Sequence, residues 1–481
     1  MLNQLKTEQS RVFHYFEQIC KIPHGSGNMA QISSFCEGFA KEHNLKCIRD
    51  EHNNIIIFKL ATKGKEGAEP IILQGHLDMV CQKEEGCTID FLNDAIAPYI
   101  DGDYIKAKGT TLGADNGIAV AMILAILEGD EYSHPPIEAV FTVDEEIGLL
   151  GAGKLDCSLL KSKRMINIDS EEEDIVTVSC AGGRDFRARV MFENEDVTGE
   201  KLIVTLKGLQ GGHSGVEIHK GRVSANILAG RFLNYFAEEG GVHLVCVNGG
   251  DKVNAITNLC KIEVVVENKD AFITEAKAYL EAVKYEIFAR EKDFCYTIAE
   301  QGAGNYSVIK NSFKKTLSSM LMCTPQGVID MSAEIEGLVE TSMNLGILKT
   351  EESYFEIHYS FRSNKKSAID NLESRMRALC SFVPNCEIYI YGSYPSWEYK
   401  ADSPLRELYC ECYKAQYLKA PKIEAIHAGL ECGVFSNAIM GLDCISIGPD
   451  MTDVHTFNEK LSIRSTENIF KVLVSLLAKC E

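Results

Sequence analysis

No apolar run in this 481-residue sequence approaches the roughly 20 residues that a membrane-spanning helix needs. The longest run covers residues 118–127 and is followed at once by Glu128, Gly129 and Asp130. Residues 1–6 also lack the basic start and apolar segment of a secretion signal. We therefore expect a cytoplasmic protein that has no membrane partner.

Positive charge is scarce relative to negative charge. The chain has 49 lysines and arginines against 69 aspartates and glutamates, which gives a formal net charge of −20. Nucleic acids and anionic membrane surfaces repel such a protein, so neither is expected as its main partner. A metal site would account for part of the acidity, because its carboxylates count as negative until the cation is added.

The sequence contains no Cys-x-x-Cys pair, although it has 18 cysteines. The closest two are Cys410 and Cys412, and the others are scattered along the chain. In a chain without a secretion signal, such cysteines are typically reduced, buried and structural. We therefore predict no disulfide framework.

The length exceeds what a single hydrophobic core usually fills, so we expect two or more domains. Strands alternate with helices in residues 1–183 and again in residues 398–481, which predicts an α/β domain with a mostly parallel sheet. Residues 184–397 are typical of strands with packed helices, and a weak echo between their halves suggests a duplicated α+β unit. The simplest arrangement is one domain made from both ends of the chain and a second domain inserted between them, with hinges near residues 181–183 and 393–397.

Several predicted strands end in groups that bind metals. In the first domain these strands cover residues 71–76, 137–143 and 164–168, and the strands expected in the inserted domain include residues 201–207 and 331–335. Functional groups of a parallel α/β sheet collect beyond the carboxyl ends of its strands. The residues at such ends are His76, Asp78, Glu145, Glu146 and Asp169.

Two further residues extend this set. Asp115 opens the helix that contains residues 118–127, where it is either an N-cap or a carboxylate that bridges two cations. His455 follows the strand predicted at residues 443–447. Taken singly, each such residue is more often a helix cap or a hydrogen-bonded structural residue than a ligand.

As a set, two histidines among carboxylates have the composition of a dinuclear site for zinc, cobalt or manganese. Two divalent ions held in this way can activate a water molecule and polarise a carbonyl group. Such a site leaves Asp78 and one of Glu145 and Glu146 for orienting a ligand and for general-base work. At this level the choice between the two glutamates stays open.

Five motifs carry a resemblance to a known family. They are GHLD at 75–78, GADNG at 113–117, DEE at 144–146, NID at 167–169 and the late His455. In this order they resemble the motif set of the M20 metallopeptidases. The large insert and the segment HAGLECG at 427–433 are similar to the aminoacyl-histidine dipeptidase branch of that family.

The resemblance implies a role for each motif residue. His76 and Asp169 would hold one divalent metal ion, Glu146 and His455 the other, and Asp115 would bridge the two. Zinc is the expected metal, with cobalt and manganese as alternatives.

The same resemblance implies the acid–base groups. Asp78 would orient His76. Glu145 would be the general base that activates the water and later passes its proton to the leaving amine.

In the inserted domain, the resemblance makes His213 the donor to the carbonyl oxyanion, and makes Asn254 and Arg362 the residues that position the substrate. Arg362 would bind the C-terminal carboxylate, for which a guanidinium has the right geometry. A surface arginine and a turn asparagine are the structural alternatives. A domain with these contacts is expected to close as a lid. In the family, lids can also reach the active site of a dimer partner, so a homodimer and a contact within one chain both stay open.

The resemblance thus predicts a dipeptidase that hydrolyses unblocked dipeptides, including Xaa-His substrates such as carnosine. A related deacylase of N-acyl amino acids, or a carboxypeptidase or tripeptidase with the same metals, is the alternative. A binding or scaffold protein without metals would require a lost ligand, and His76, Asp115, Glu146, Asp169 and His455 are all present.

Overall fold

The structure, a computed structural model, describes Leu5 and residues 9–481. These residues form two compact units. Unit 1 consists of the described residues up to Cys180 together with Trp397–Ala425 and Leu430–Glu481. Unit 2 consists of Ala181–Ser396 and the short segment Ile426–Gly429, which the sequence did not assign to the insert.

The helices, numbered along the chain, are α1 (Ser10–Ile19), α2 (Ala30–Glu42), α3 (Ala114–Leu127), α4 (Leu150–Lys154), α5 (Ala225–Tyr235), α6 (Lys269–Ile287), α7 (Asn311–Cys323), α8 (Lys366–Ser381), α9 (Pro404–Tyr417), α10 (Glu431–Ala438) and α11 (Ile463–Lys479). The helix predicted over residues 6–20 corresponds to α1, and residues 6–8 lie outside the described residues.

The strands of unit 1 and unit 2, again in chain order, are β1 (Lys46–Arg49), β2 (Ile55–Lys59), β3 (Ile71–His76), β4 (Pro98–Asp101), β5 (Tyr104–Ala107), β6 (Ile137–Thr142), β7 (Arg164–Asn167), β8 (Ile175–Cys180), β9 (Gly182–Met191), β10 (Asn194–Lys207), β11 (Gly212–His213), β12 (Val242–Gly249), β13 (Ala255–Ile256), β14 (Cys260–Val266), β15 (Cys295–Ile309), β16 (Gly327–Met331), β17 (Val339–Thr350), β18 (Tyr354–Ser363), β19 (Cys386–Tyr394), β20 (Lys422–Ile426), β21 (Asp443–Ser446), β22 (Met451–Thr452) and β23 (Lys460–Ser462).

Unit 1 is built on an eight-stranded sheet in the order β1-β2-β6-β3-β7-β21-β8-β20. The central strands β6, β3, β7 and β21 pair in parallel, whereas β1, β2 and β8 pair antiparallel at the flanks. Every residue of β3 and β6 is buried. Parallel strands covered on both faces need such continuous apolar sequences, and this is why the sequence predicted them well.

Helix α3 packs against β3 and α1. Its residues 117–127 are all buried, so it has no polar face. The helix ends against β2, where the buried Lys59 donates through Nζ to the carbonyl oxygens of Ile126, Leu127 and Gly129. A cation at this end satisfies the last carbonyls of the helix and complements its dipole.

A small four-stranded sheet, in the order β22-β23-β5-β4, joins the C-terminal part of the chain to residues 98–107. The loop between β22 and β23 contains His455. Helix α9 begins as the sequence predicts, with Ser403 accepting a hydrogen bond from the Arg406 N–H and Pro404 in the first turn.

Unit 2 contains a nine-stranded sheet in which β10 lies between β14 and β15. The opposite half of this sheet consists of β17, β18, β9 and β19, which pair in that order. The helices of the unit contribute Phe232 of α5, Leu280 of α6, Leu317 of α7 and Leu372 of α8 to one core with the strands. The fold class, α/β with strands and packed helices, is confirmed, while the internal duplication stays a prediction.

Some predicted elements in unit 2 are wrong in extent or position. The strand expected at residues 331–335 lies at Gly327–Met331, and the strand expected at residues 201–207 begins already at Asn194. Strand β15 was not predicted at all. Its side chains from residue 295 to residue 307 are exposed or half-exposed, so the alternating apolar pattern that marks a strand is missing.

None of the helices in the part of the chain that the structure describes combines the length and the apolar character of a membrane span.

Replacing Gly75 by alanine tests the close approach of β3 and α3. A Cβ atom at Gly75 would lie 2.6 Å from Asn116 Oδ1 and 3.0 Å from the Ala119 Cβ. We expect Gly75→Ala to lower the free energy of unfolding by about 1–3 kcal/mol, because two buried elements must move apart. Urea unfolding followed by the fluorescence of Trp397, the single tryptophan and a buried residue of unit 1, measures this change.

Gly153→Ala is the matched control, because a Cβ atom there meets no heavy atom within 4 Å and Gly153 lies in α4. The control should be neutral or slightly stabilising. Equal unfolding midpoints for both variants would contradict the predicted clash.

Candidate active site

The central strands of unit 1 bring the predicted ligands to one edge of the sheet. His76 is the last residue of β3, which lies between β6 and β7. Glu145 and Glu146 follow β6, and Asp169 follows β7. Because these strands are parallel, the residues after their carboxyl ends meet, as the sequence predicted.

Asp115 faces two histidines at once. Its Oδ1 atom lies 3.1 Å from His76 Nε2, and its Oδ2 atom lies 3.1 Å from His455 Nε2. Asp115 and Asn116 depart from helical φ/ψ values, so the regular part of α3 begins after them. Each oxygen of the Asp115 carboxylate faces a different imidazole.

Three overlapping groups of residues each offer ligand atoms that lie within 4.8 Å of one another. The first group is His76, Asp115 and Asp169, and the second is Asp115, Glu146 and His455. The third group is His76, Glu145 and Glu146. The first two groups share Asp115. Glu146 Oε1 lies 3.0 Å from His455 Nε2, and Asp169 Oδ1 lies 3.4 Å from His76 Nε2. The predicted metal residues are thus all brought together within unit 1.

The surroundings of His76 show which ring nitrogen is held by the protein. The Nδ1 atom lies 3.0 Å from the carbonyl oxygen of Asp78, which can only accept a hydrogen bond, so Nδ1 carries a proton. Nε2 faces Asp115 and Asp169 and is the nitrogen that a metal ion would bind once its own proton is lost. The Asp78 carboxylate is farther from Nδ1, at 3.5 Å.

The Asp78 carboxylate instead organises the loop after β6. It accepts the backbone N–H of Glu145 at 2.9 Å and that of Glu146 at 3.3 Å, and also the Ser26 hydroxyl at 2.8 Å. The two backbone bonds fix the main-chain positions of the adjacent Glu145 and Glu146. Asp78 therefore contacts both sides of the site, His76 by its carbonyl oxygen and the glutamates by its carboxylate.

Asn116 connects the ends of β3 and β7. Its Oδ1 atom accepts the N–H of His76 at 3.1 Å, and its Nδ2 atom donates to Asp169 Oδ1 and to the Ile168 carbonyl, both at 2.7 Å. Gly75 makes this approach feasible, because a Cβ atom there would overlap the Asn116 amide. Asn116 was not among the predicted site residues, although its place next to Asp115 was a usable signal.

The charges of the site shift its pKa values strongly. Hydrogen bonds to Asp115 and Glu146 raise the pKa of His455 to about 11. Burial alone would lower the pKa of His76, but the charge of Asp169 and the hydrogen bond to Asp115 raise it well above its usual range. Burial raises the pKa of Asp169 to about 6.

The pKa values of Asp115 and Glu145 move in opposite directions. Burial raises the pKa of Asp115, but hydrogen bonds from His455 and His76 outweigh it and hold the pKa below its usual range. Burial raises the pKa of Glu145 well above its usual range; His76 opposes this rise and the charge of Asp169 adds to it. The site therefore concentrates negative charge that protons on the two histidines partly neutralise.

This donor set fits divalent metal ions. Imidazole nitrogen and carboxylate oxygen are the usual ligands of zinc, cobalt and manganese in proteins. The side chain of His76 is 2% exposed and those of Glu146 and Asp169 are each 7% exposed, so a cation would relieve carboxylate repulsion in a region with little water.

In unit 2, the ring of His213 has a defined tautomer. His213 Nδ1 accepts the backbone N–H groups of Gly215 and Val216, each at 3.2 Å. Burial and the charge of Arg362 lower the pKa of His213. A neutral ring whose Nδ1 accepts must carry its proton on Nε2, so His213 offers one N–H donor.

Arg362 lies near His213 and is 8% exposed. Its Nη1 atom donates to the Tyr394 hydroxyl at 2.7 Å, and among the described residues its buried Nε atom has no partner. Among residues 9–481, no carboxylate forms an ion pair with Arg362, although Asp185 is close enough to feel its charge. A buried guanidinium without an ion pair in this part of the chain is suited to bind a carboxylate from a substrate.

Asn254 is exposed, and its carbonyl oxygen accepts the Ser214 N–H at 2.9 Å. Together with the pairing of His213 to Ala255, this bond holds the loop of Asn254 beside that of His213. His427 belongs to the same unit, where its Nε2 atom lies 2.7 Å from the Ser342 hydroxyl. Burial lowers the pKa of His427 to about 3, which keeps its ring neutral.

The sequence profile of "Peptidase family M20/M25/M40" matches residues 72–479, which include every ligand-bearing loop described above. The chain belongs to this peptidase family. The resemblance seen in the sequence motifs is thereby confirmed.

Several known proteins match over nearly the whole chain. The "cytosol non-specific dipeptidase" of Escherichia coli is 39% identical over 480 residues, 99% of this chain and 98% of the relative. The crystal structure of an aminoacylhistidine dipeptidase from Vibrio alginolyticus is 36% identical with a TM-score of 0.92, covering 100% of this chain and 98% of that one. The aminopeptidase PepT from Bacillus cereus, at 15% identity, a TM-score of 0.58 and 98% coverage of both chains, shares the fold.

Two buried glutamates near the site, Glu431 and Glu459, were not among the predicted site residues. Glu431 is fully buried, and its Oε2 atom accepts from Gln74 at 2.5 Å and from the Thr142 hydroxyl at 2.6 Å. Burial raises the pKa of Glu431 to about 7. Glu459 was not identified, and its contacts are described below.

Metal loading should release protons from this site. The contacts with Asp115 and Glu146 raise the pKa of His455 to about 11, and the pKa of His76 is also raised, so both rings favour the protonated form without metal. A metal ion needs the lone pair that each proton occupies. Zinc affinity should therefore fall as the pH falls. Calorimetry in buffers of different ionisation enthalpy measures the protons released.

His455→Ala should release about one proton fewer per protein than the parent. His52→Ala, which alters a histidine in the turn after β1, is the control and should release as many protons as the parent. Unchanged proton release in His455→Ala would contradict the assignment of His455 as a ligand.

Proposed function

We propose that this chain is a two-metal dipeptidase that hydrolyses the peptide bond of unblocked dipeptides, Xaa-His dipeptides among them. The proposal rests mainly on the position of the Asp115 carboxylate between two histidines. One of its oxygens lies 3.1 Å from His76 Nε2, and the other lies 3.1 Å from His455 Nε2. Membership of the M20 peptidases supports the reaction type. The names of the E. coli and V. alginolyticus relatives support the substrate class, and the E. coli name also supports a cytosolic location.

In this proposal, His76 and Asp169 would hold one divalent cation, Glu146 and His455 would hold the other, and Asp115 would be shared between them. The distances within the two groups that share Asp115 support this division. Zinc is the proposed metal, and cobalt and manganese suit the same donors. Two such ions would lower the pKa of a shared water molecule and polarise the scissile carbonyl group.

Glu145 is proposed as the general base. It takes a proton from the attacking water as the new C–O bond forms, and it gives that proton to the amine nitrogen as the C–N bond breaks. Its pKa, which burial raises above the usual range, supports a role in proton transfer. Asp78 positions Glu145 by accepting its backbone N–H.

The substrate contacts are assigned to unit 2. The Nε2–H group of His213 donates to the oxyanion that develops on the carbonyl oxygen. Arg362 binds the free C-terminal carboxylate, and Asn254 positions the peptide. We propose that unit 2, with boundaries near residues 184 and 397, acts as a lid that closes during turnover.

A substrate panel tests this function directly. The zinc-loaded protein should cleave dipeptides with free termini, including Xaa-His dipeptides, faster than tripeptides, N-acyl amino acids or dipeptide amides. Product formation measured by chromatography gives kcat/KM for each class. A clear preference for N-acyl amino acids or for tripeptides would refute the dipeptidase assignment.

The two adjacent glutamates should respond differently to substitution. Glu145→Gln should lower kcat by about 10²–10⁴-fold while metal content stays the same, because only the proton acceptor is lost. Glu146→Ala should lower metal occupancy, measured by atomic emission after dialysis. Glu51→Gln, at an exposed carboxylate, should match the parent in both measurements. Full activity of both site variants would overturn this division of roles.

Arg362→Ala should lower kcat/KM for free dipeptides by about 10–100-fold, since a charge-assisted contact worth about 1.5–3 kcal/mol is removed. The slower hydrolysis of dipeptide amides should not change, because they lack the carboxylate. Arg375→Ala, at an exposed arginine on α8, is the matched control. Equal losses for free and amidated peptides would rule out carboxylate recognition by Arg362.

A further inference from the structure

Glu459 accepts hydrogen bonds from four successive backbone N–H groups. Its Oε2 atom accepts from Leu112 at 2.7 Å and from Gly113 at 3.0 Å, and its Oε1 atom accepts from Ala114 at 2.8 Å and from Asp115 at 3.3 Å. The Glu459 side chain is 3% exposed. The segment that presents Asp115 is therefore held by a single buried carboxylate.

These four N–H groups lie before the regular part of α3, because Asp115 and Asn116 depart from helical φ/ψ values. Buried N–H groups in such a non-helical segment need an acceptor from elsewhere in the chain. Glu459 comes from the C-terminal part of the chain and offers them both of its carboxylate oxygens.

The same carboxylate is joined to His455 through a short, hydrogen-bonded loop. The Glu459 N–H donates to the Thr456 carbonyl at 3.1 Å, and the Thr456 N–H donates to the Asp453 carbonyl at 3.2 Å. The Thr456 hydroxyl donates to that Asp453 carbonyl as well, at 2.7 Å. Asp453 and His455 both have left-handed φ values, +57° and +63°, which this loop geometry must maintain.

These contacts close a ring of interactions. Glu459 holds the backbone of Asp115, the loop holds His455 relative to Glu459, and the Asp115 carboxylate lies 3.1 Å from His455 Nε2. The relative position of these two ligands is therefore set by Glu459 as well as by the sheet.

We propose that Glu459 is a positioning residue that holds Asp115 and His455 in their ligating arrangement before a metal ion binds, so that metal affinity depends on it. The inference rests on the proposed function, which makes Asp115 and His455 metal ligands. Glu459 itself touches neither metal nor substrate in this role.

Glu459→Gln is the central test, because an amide keeps the size of the side chain but replaces one acceptor oxygen by an NH2 group that opposes two backbone N–H donors. The metal-free protein is titrated with Co2+ against a competing chelator, well below the unfolding temperature. We expect the dissociation constant for Co2+ to rise about 10–100-fold, as for other groups that orient metal ligands. The visible absorption spectrum of bound Co2+ should also change.

Glu138→Gln is the matched control. Glu138 is 4% exposed and accepts the backbone N–H groups of Lys161 and Ser162, at 2.9 and 3.1 Å, but it holds no ligand loop. It should therefore lose stability in a similar way while Co2+ affinity and spectrum stay as in the parent. A loss of affinity in Glu459→Gln that is no larger than in Glu138→Gln would overturn the inference.

Hydrogen exchange of the parent protein gives a second test that does not depend on a variant. In the metal-free state, the amides of Leu112, Gly113, Ala114 and Asp115 should be protected from exchange. Rapid exchange at these amides would overturn the inference, even if the proposed function holds. Absence of Co2+ binding to the parent protein would overturn the proposed function and the inference together.

Discussion

The two oxygens of Asp115 face imidazoles that come from opposite ends of the chain, His76 from the first strands and His455 from the last loop. Without a cation, protons on both rings stabilise this arrangement, as the raised pKa values of both histidines indicate. The parallel pairing of β6, β3 and β7 supplies the remaining carboxylates at the same edge of the sheet. The chemistry proposed for the protein depends on this one shared carboxylate.

Buried carboxylates that accept backbone N–H groups recur around the functional loops. Asp78 holds the loop of Glu145, and in unit 2 Glu291 accepts the N–H groups of Gln210 and Val223, on either side of His213. Each of these bonds is charge-assisted and places a loop without contacting the reacting groups. Ordinary folding interactions thus also determine where the functional side chains lie, and this connects stability to activity.

Sequence patterns predicted which side chains meet at the edge of the sheet, because β3 and β6 are buried on both faces and end at or just before these residues. The same patterns did not predict elements whose position is determined by backbone pairing and not by burial. Strand β15 is an exposed, polar strand held by its long pairing with β10. Glu459 was missed for a different reason: a buried carboxylate has the same letter as a surface one, and only the fold shows that four N–H groups surround it.

The central claim is most directly tested by anomalous diffraction from crystals of the zinc-loaded protein. The account predicts two zinc peaks about 3.5–4 Å apart, with one Asp115 oxygen on each ion. His76 and Asp169 should contact one peak, and Glu146 and His455 the other. A single ion, or two ions that do not share Asp115, would contradict it.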